Sequence, residues 1–297
     1  MAGKPPRSLP QGRMKLPSGA YLDFSGPALI MAIINCNGDS FYSPSRALGD
    51  RALDMALAAE EEGAAIIDFG AESSRPGSSC IDEEAELERL IPVVSAFRKR
   101  STLPVSVDTR KAVVARSALD SGADIINDIS GLGGDLLMAA VCAERGAAVV
   151  LMHNSARLPG PGAPSQDSTG CGELAAGLRS WFMAAAGKAL AAGISAEKII
   201  LDPGIGFGKN LEGNLEILRR LAEICGKDYP VLIGLSRKSF LGEITGRDGI
   251  PKDAAGRLPG TLAANAAAIL GGADIIRVHD VKEHLDLTKM LFALRSG

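Results

Sequence analysis

The stretch "KIILDPGIGFGKN", Lys198 to Asn210, carries a β-branched apolar run into a carboxylate, Asp202, and then into a proline and three alternating glycines. An apolar run with no polar alternation reads as a strand buried on both faces, as in a parallel sheet covered by helices. The glycine spacing, G-x-G-x-G-K, lacks the third glycine position of a dinucleotide fingerprint. It is no phosphate-binding P-loop either, because Pro203 occupies the required first glycine and Asn210 replaces Ser/Thr. What remains is physical. Glycines let a backbone approach a flat ligand closely, and an aspartate in a dry pocket can accept two parallel N–H donors from a guanidine-like ring edge.

Working outward, the same kind of run recurs at fairly even intervals: "PALIMAIIN" (27–35), "AAIIDFG" (64–70), "LPVSVDT" (103–109), "DIINDIS" (124–130), "AAVVLMH" (147–153), "PVLIGLS" (230–236) and "ADIIRVHD" (273–280). Segments of helical periodicity lie between them. One is "DEEAELERLIPVVSAFRKR" (82–100), acidic at its start and basic at its end, as the helix dipole favours. Doubly buried strands alternating with helices imply right-handed crossovers and, with eight units, a single α/β barrel of the (β/α)8 TIM type. An open doubly wound sheet is the second choice. Residues 27–297 are assigned to the barrel and residues 1–26, basic and broken by prolines, to a short loose N-terminal arm that lacks the apolar core of a signal peptide.

Polar residues gather at the ends of these runs: Asn35, Asp68, Asp108, Asn127, His153, Asp202, Ser236, Arg277 and His279. Taken singly, such residues are good turn and cap formers. Taken together in a barrel, they share the C-terminal face where barrel enzymes hold their active sites. Composition narrows the chemistry. Lys plus Arg total 32 against 35 Asp plus Glu, without a basic cluster interleaved with aromatics, so no nucleic acid is expected as partner. No run of about 18 apolar residues appears, so no membrane span is expected. The 5 cysteines form no C-x-x-C, which argues against a disulfide framework or zinc site and favours a cytoplasmic chain. Asp202, Asp108 and Asn127 supply acceptors and a mixed donor/acceptor suited to the edge of an amino-pyrimidine, and Lys238 adds a cation for ring carbonyl or nitrogen acceptors.

The motifs "IIDFGAESSRPG", "SVDTRK", "IINDIS", "LDPGIGFGKN", "GLSRKSFLG" and "IIRVHDV", in this order from about Ala28 to Leu294, resemble those of the dihydropteroate synthases in the pterin-binding barrel family. The resemblance implies condensation of 6-hydroxymethyl-7,8-dihydropterin pyrophosphate with 4-aminobenzoate, assisted by Mg²⁺, in a homodimer formed through the late helices. It implies pterin binding by Asp108, Asn127, Asp202 and Lys238, and a metal and pyrophosphate ligand in Asn35. Arg75, Arg277 and His279 match groups that handle the pyrophosphate or mobile loops, and Ser74, Pro76, Phe207 and Ser236 match the aminobenzoate side. Asp108, Lys238, Arg277 and His279 are the residues implied to be catalytic.

The chemistry suits these residues. Pyrophosphate on a methylene attached to an electron-rich dihydropterin can leave first, so charge stabilisation matters more than a nucleophile. The aniline nitrogen is neutral near pH 7 and needs no strong base. Arg277 and His279, at i and i+2, lie on one side of a strand and can bind an anion together, the plainer alternative for Arg277 being a salt bridge to an aspartate such as Asp280. Lys238 could instead be a Schiff-base lysine, although Ser236 and Arg237 beside it fit the synthase motif better. His153 is expected to be a buried, hydrogen-bonded structural histidine, Cys36 a packing residue, and His284 part of a surface helix.

The first loop, "NCNGDSFYSPSRA", departs from the family's Asn-x-Thr-x-Asp-Ser-Phe-Ser-Asp-Gly-Gly through Asn37, Gly38 and Tyr42-Ser43-Pro44, and Ser74 replaces a threonine. These changes fall on the acceptor and pyrophosphate side. "NSARLPGPGAPSQDSTGCG" (154–172) reads as a flexible lid. Two other readings of the pterin motifs are a methyltetrahydrofolate-corrinoid methyltransferase and a non-catalytic pterin-binding paralogue.

Overall fold

The computed structural model describes residues 9, 12–36, 45–72, 81–155 and 173–295. A short antiparallel hairpin, β1 (Arg13–Lys15) and β2 (Tyr21–Asp23), comes first. Alternating units follow: β3 (Leu29–Asn35), α1 (Ser45–Glu61), β4 (Ile66–Gly70), α2 (Glu83–Arg98), β5 (Val105–Asp108), α3 (Ala112–Asp120), β6 (Ile125–Asp128), α4 (Met138–Arg145), β7 (Ala148–Met152) and α5 (Glu173–Ala191). The chain ends with β8 (Ile199–Asp202), α6 (Leu211–Arg219), α7 (Leu221–Cys225), β9 (Leu232–Ile233), α8 (Ser239–Thr245), α9 (Leu258–Leu270), β10 (Ile275–Val278) and α10 (Val281–Arg295).

The eight strands β3 to β10 form one parallel sheet in the order β8-β7-β6-β5-β4-β3-β10-β9. A parallel bridge between Leu201 and Val231 joins its ends, so the sheet closes into the expected barrel rather than an open doubly wound sheet. The strands are shorter than the apolar runs that announce them, losing one or more residues at one or both ends, while Asn35, Asp108 and Asp202 remain as the last residues of β3, β5 and β8. Helix α2 shows the local rules at work. Asp82 caps it by accepting the Ala85 N–H at 2.8 Å, and three acidic residues, Glu83, Glu84 and Glu86, occupy its first turn.

Two apolar layers result. Ile67, Val107, Ile126, Val149 and Leu201 face outward against the helices. Met31, Ile66, Ile125, Ala148, Val150, Ile200, Leu232 and Ile275 fill the barrel interior. Here the N-terminal arm departs from the loose segment expected. Leu9, Met14, Leu16, Leu22 and Phe24 pack onto the interior layer, and the hairpin plugs the N-terminal end of the barrel. Asp124, just before β6, accepts the Ser18 N–H at 3.0 Å, and Lys198, just before β8, reaches the Lys15 carbonyl. Met14, Leu16 and Leu22 are buried with a period of two, but three-residue strands are too short to announce themselves in sequence. No helix among the described residues is long and apolar enough to cross a membrane.

Candidate active site

Strand periodicity builds the site. Side chains at i and i+2 share a face, so on four of the strands an apolar residue of the barrel interior is followed, one step up, by a polar residue at the strand tip. Ile66 leads to Asp68, Ile125 to Asn127, Ile200 to Asp202, and Ile275 to Arg277. Asp108 closes β5 beside Gly70 and Asn127 in register. The apolar layer thus supports a polar layer at the C-terminal mouth.

Arg277 organises that layer. Its Nε donates to Asp68 Oδ2 at 2.6 Å and its Nη2 to Asp108 Oδ2 at 3.0 Å. The Asn127 side-chain amide donates to the same Asp68 oxygen at 3.3 Å. Asp68 is fully buried, and its second oxygen has no partner. The salt bridge to Asp280 considered for Arg277 is made by Arg237 instead, through two guanidinium nitrogens, with Nε to Oδ2 at 2.9 Å. That pair ties the loop after β9 to the loop after β10.

Burial pushes the Asp108 carboxyl up to about 7, with the Arg277 guanidinium acting in the opposite sense. The Asp202 carboxyl is also raised by burial, against the Gly204 N–H it accepts at 2.7 Å and the nearby Lys238 and Lys209 charges. Lys238 is pulled down to about 7 by burial, while Asp202 favours its charged form. Burial opposes the charge on Arg277, but Asp68 and Asp108 outweigh it and raise its pKa. The mouth is therefore a layer of cations and carboxylates that hold one another in place, with Asp108 and Lys238 poised near neutrality.

The glycine loop after β8 lies along this layer. Lys238 donates to the Ile205 carbonyl, and its Nζ sits 3.9 Å from the centre of the Phe207 ring. Gly204 has φ +65°, and an added Cβ would lie 2.0 Å from the His153 carbonyl oxygen. At Gly206, φ +79°, a Cβ would lie 2.6 Å from Lys238 Cδ. The close approach that requires these glycines is made by the protein's own His153 and Lys238, which corrects the expectation of an approach by ligand alone.

At the rim, Asn35 ends β3 exposed. His279, also exposed, has Nδ1 at 3.0 Å from the Ser236 hydroxyl, which accepts the His279 N–H at 3.3 Å. Arg277 points into the mouth while His279 stays on the rim, so the pair spans the entrance. Ser74, Arg75, Pro76, the first loop with Asn37, Gly38 and Tyr42, and most of the 154–172 segment lie outside the described residues. The stems of the 73–80 segment are described. Arg110 pairs with Glu72 at 2.7 Å, and Lys111 donates to the Ile81 carbonyl at 2.7 Å and pairs with Glu86.

Three single-residue expectations resolve differently. His153 is fully buried and stacks edge-on against Trp181 at 5.0 Å, but neither ring nitrogen has a hydrogen-bond partner. Burial, aided by the Lys209 charge, lowers its pKa to about 3, so the ring is neutral. His284 lies on α10 but is fully buried, between the Asp280 carbonyl at 2.6 Å and the Asn265 amide at 2.9 Å, rather than on a surface face. Cys36 is buried as expected, and desolvation lifts its thiol to about 12. Asp68 and Lys209 gain an importance that their sequence positions only partly announce. Asp68 is one strand tip among several, and Lys209 stands at the end of a glycine motif.

The family model described as pterin binding enzyme matches residues 31–279. A dihydropteroate synthase of Synechocystis is 41% identical over 281 residues, which cover 94% of this chain and 94% of that protein. The solved dihydropteroate synthase of Xanthomonas albilineans with 4-aminobenzoic acid aligns with a TM-score of 0.86 at 33% identity, covering 97% of this chain and 100% of that one. The Xanthomonas albilineans enzyme in complex with 7,8-dihydropteroate gives a TM-score of 0.83 at 33% identity, covering 96% and 99%.

Proposed function

The chain belongs to the pterin-binding enzyme family and, within it, to the dihydropteroate synthases, and from that premise we propose how its own residues carry the reaction. The enzyme is a transferase. It joins 6-hydroxymethyl-7,8-dihydropterin pyrophosphate to 4-aminobenzoate, giving 7,8-dihydropteroate and pyrophosphate in folate biosynthesis. Methyl transfer to a corrinoid and silent pterin binding give way to this reading, because relatives matched over nearly the whole chain are synthases.

The observation that carries the site assignment is the convergence of Asn127 and Arg277 on the buried Asp68 carboxylate, with Arg277 also reaching Asp108 and with Asp202 and Lys238 beside them. Asp202 and Asn127 read the amino-pyrimidine edge, and Lys238 donates to a ring acceptor. The C–O bond between methylene and pyrophosphate breaks with its electron pair leaving on oxygen, and the ring holds the resulting cation. Asp108, drawn toward its anionic form by Arg277 against the upward push of burial, stabilises that cation as the carboxylate. The neutral aniline nitrogen then forms the C–N bond and gives its proton to solvent. Phe207 and Ser236, with Ser74 and Pro76, take the acceptor. Arg75, Arg277 and His279 take the pyrophosphate.

Magnesium, held with the pyrophosphate by the Asn35 amide oxygen, would neutralise the leaving charge. The donor set suits it. Asn35 offers one exposed hard oxygen, and no group of three or more His, Cys, Asp or Glu among the described residues forms a metal cage of its own. An ion that keeps waters and takes phosphate oxygens needs no more. A homodimer through the late helices is supported by the exposed Leu270, Met290 and Leu294 on α9 and α10. A cytoplasmic location is supported by free, buried Cys36, Cys142 and Cys225. The test is product analysis by mass spectrometry with both substrates and Mg²⁺. Dihydropteroate is expected, and its absence with intact pterin binding would reject the synthase reading.

A further inference from the structure

We propose that Lys209 is a positioning residue for the condensation: its ammonium holds the glycine loop in the shape that presents Phe207 and the Ile205 carbonyl to Lys238. The proposal rests on the synthase reading only for what the loop does, not for how it is held.

An ammonium has three N–H donors, and all of those on Lys209 are used by backbone. They reach the carbonyls of His153 at 3.2 Å, Gly204 at 2.8 Å and Phe207 at 3.2 Å. The first acceptor lies just past β7 and the other two lie in the loop after β8, so one cation ties two barrel strands to the loop between β8 and α6. The Gly204 carbonyl also accepts the Phe207 N–H at 3.1 Å, which places Lys209 on the closing bond of the turn. From α6, Asn214 accepts the Gly206 N–H at 2.7 Å and donates to the Lys209 carbonyl at 3.3 Å.

The loop needs such a tie. Gly204, Gly206 and Gly208 all have positive φ, at 65°, 79° and 65°. Glycines lose the most conformational freedom on ordering, so a segment with three at alternate positions does not hold one shape without partners. Lys238 depends on that shape, because both its partners in the loop, the Ile205 carbonyl and the Phe207 ring, belong to the stretch from Gly204 to Phe207 that Lys209 grips at each end. By contrast, Asp202 and Asn127 stand on strands and do not need the loop to be placed. The loss of Lys209 therefore falls first on Phe207 and the acceptor side, reaches the pterin only through Lys238, and leaves Asp202 and Asn127 in place. A planar guanidinium fork does not match three carbonyls converging on one point, so arginine does not replace it.

The experiment compares the full-length parent with Lys209→Met and Lys209→Arg. Amide hydrogen exchange should be at least tenfold faster over residues 204–208 in both variants, with the β7 and β8 amides within about twofold of the parent. The KM for 4-aminobenzoate should rise at least tenfold, while the Kd of a pterin measured by calorimetry should rise by a clearly smaller factor, below the loss expected for Lys238→Met. Unchanged loop exchange overturns the proposal. So do exchange that quickens throughout the barrel, parallel rises in KM and Kd, or unfolding of both variants, since these describe a residue that only stabilises the fold. If the parent makes no dihydropteroate, the synthase reading fails and the exchange data alone decide whether Lys209 holds the loop.

Discussion

Replacing Arg277 with leucine should move the pH range over which the site binds a pterin. In the folded chain the guanidinium sits 2.6 Å from Asp68 and 3.0 Å from Asp108 and is largely shielded from solvent. Breaking a buried ion pair from one side costs about 3–5 kcal/mol, so the variant should melt earlier while still folding. Asp108 stands at about 7 because burial raises it and Arg277 draws it back. Lys238 stands at about 7 because burial lowers it, and Arg277 lowers it further. Pterin binding needs the Asp108 carboxylate and the Lys238 ammonium together, so affinity in the parent should follow a bell with its maximum near pH 7. An adjacent opposite charge lowers the pKa of a carboxylate by about 1–3. Removing Arg277 therefore moves the acid limb of the bell to higher pH by about that amount, and the alkaline limb moves up with it. At pH 7 the variant should bind about tenfold more weakly for every pH unit that the acid limb travels, and it should recover affinity above pH 8. Calorimetry with a pterin from pH 5.5 to 9.5 reads this directly, with Arg277→Lys as the variant that keeps the charge. A folded Arg277→Leu protein whose bell has not moved would refute the electrostatic account.

The same two groups contribute to the pH dependence of stability in the unliganded chain. Asp108 is raised on folding from 3.8, so its contribution is fully present below about pH 4 and lost as pH rises through about 7. Lys238 is depressed from 10.5, so its contribution is present above about pH 10.5 and lost as pH falls through about 7. Together they favour a stability minimum near neutrality, read as the difference in urea titrations between the parent and a variant with Asp108→Asn and Lys238→Met, and a difference that does not change with pH would contradict the perturbed pKa values. Lys238→Met should weaken pterin binding by about 10- to 150-fold, the span of a hydrogen bond to a charged group, while leaving circular dichroism unchanged. Equal affinity would remove Lys238 from the pocket. Gly204→Ala meets both a positive φ and a backbone oxygen 2.0 Å from the new Cβ, so a loss of about 3 kcal/mol or more is expected by chemical denaturation. Met14→Ala, at a fully buried position in the hairpin, should cost about 2–5 kcal/mol. A loss near zero would return the hairpin to the loose arm its prolines suggest.

The barrel could be read in advance because its signal is repeated. Eight apolar runs, each ending in a polar tip, determine both the strand count and the face on which Asp108, Asn127, Asp202 and Arg277 meet. Which tip bonds to which could not be read. Register and barrel closure decide that Arg277 reaches Asp68 and Asp108 rather than Asp280, across 209 and 169 residues of sequence respectively. The hairpin escapes a sequence reading because its strands of three residues carry too little periodicity. His284 is misplaced by the same reading because one polar residue on a helix does not announce a buried partner such as Asn265. The glycines of the β8 loop stand out at the right positions with an incomplete reason, since the atoms that crowd them belong to His153 and Lys238.

The most direct test of the central claim, that the strand tips form a pterin site built for pyrophosphate departure, is a paired product measurement. Pyrophosphate and dihydropteroate are quantified from the dihydropterin pyrophosphate with Mg²⁺, with and without 4-aminobenzoate, for the parent chain and for Asp202→Ala. Equal amounts of both products in the parent, dependent on 4-aminobenzoate and lost in Asp202→Ala, are predicted. Equal turnover by Asp202→Ala, or pyrophosphate release with no dihydropteroate at any acceptor concentration, would contradict the account.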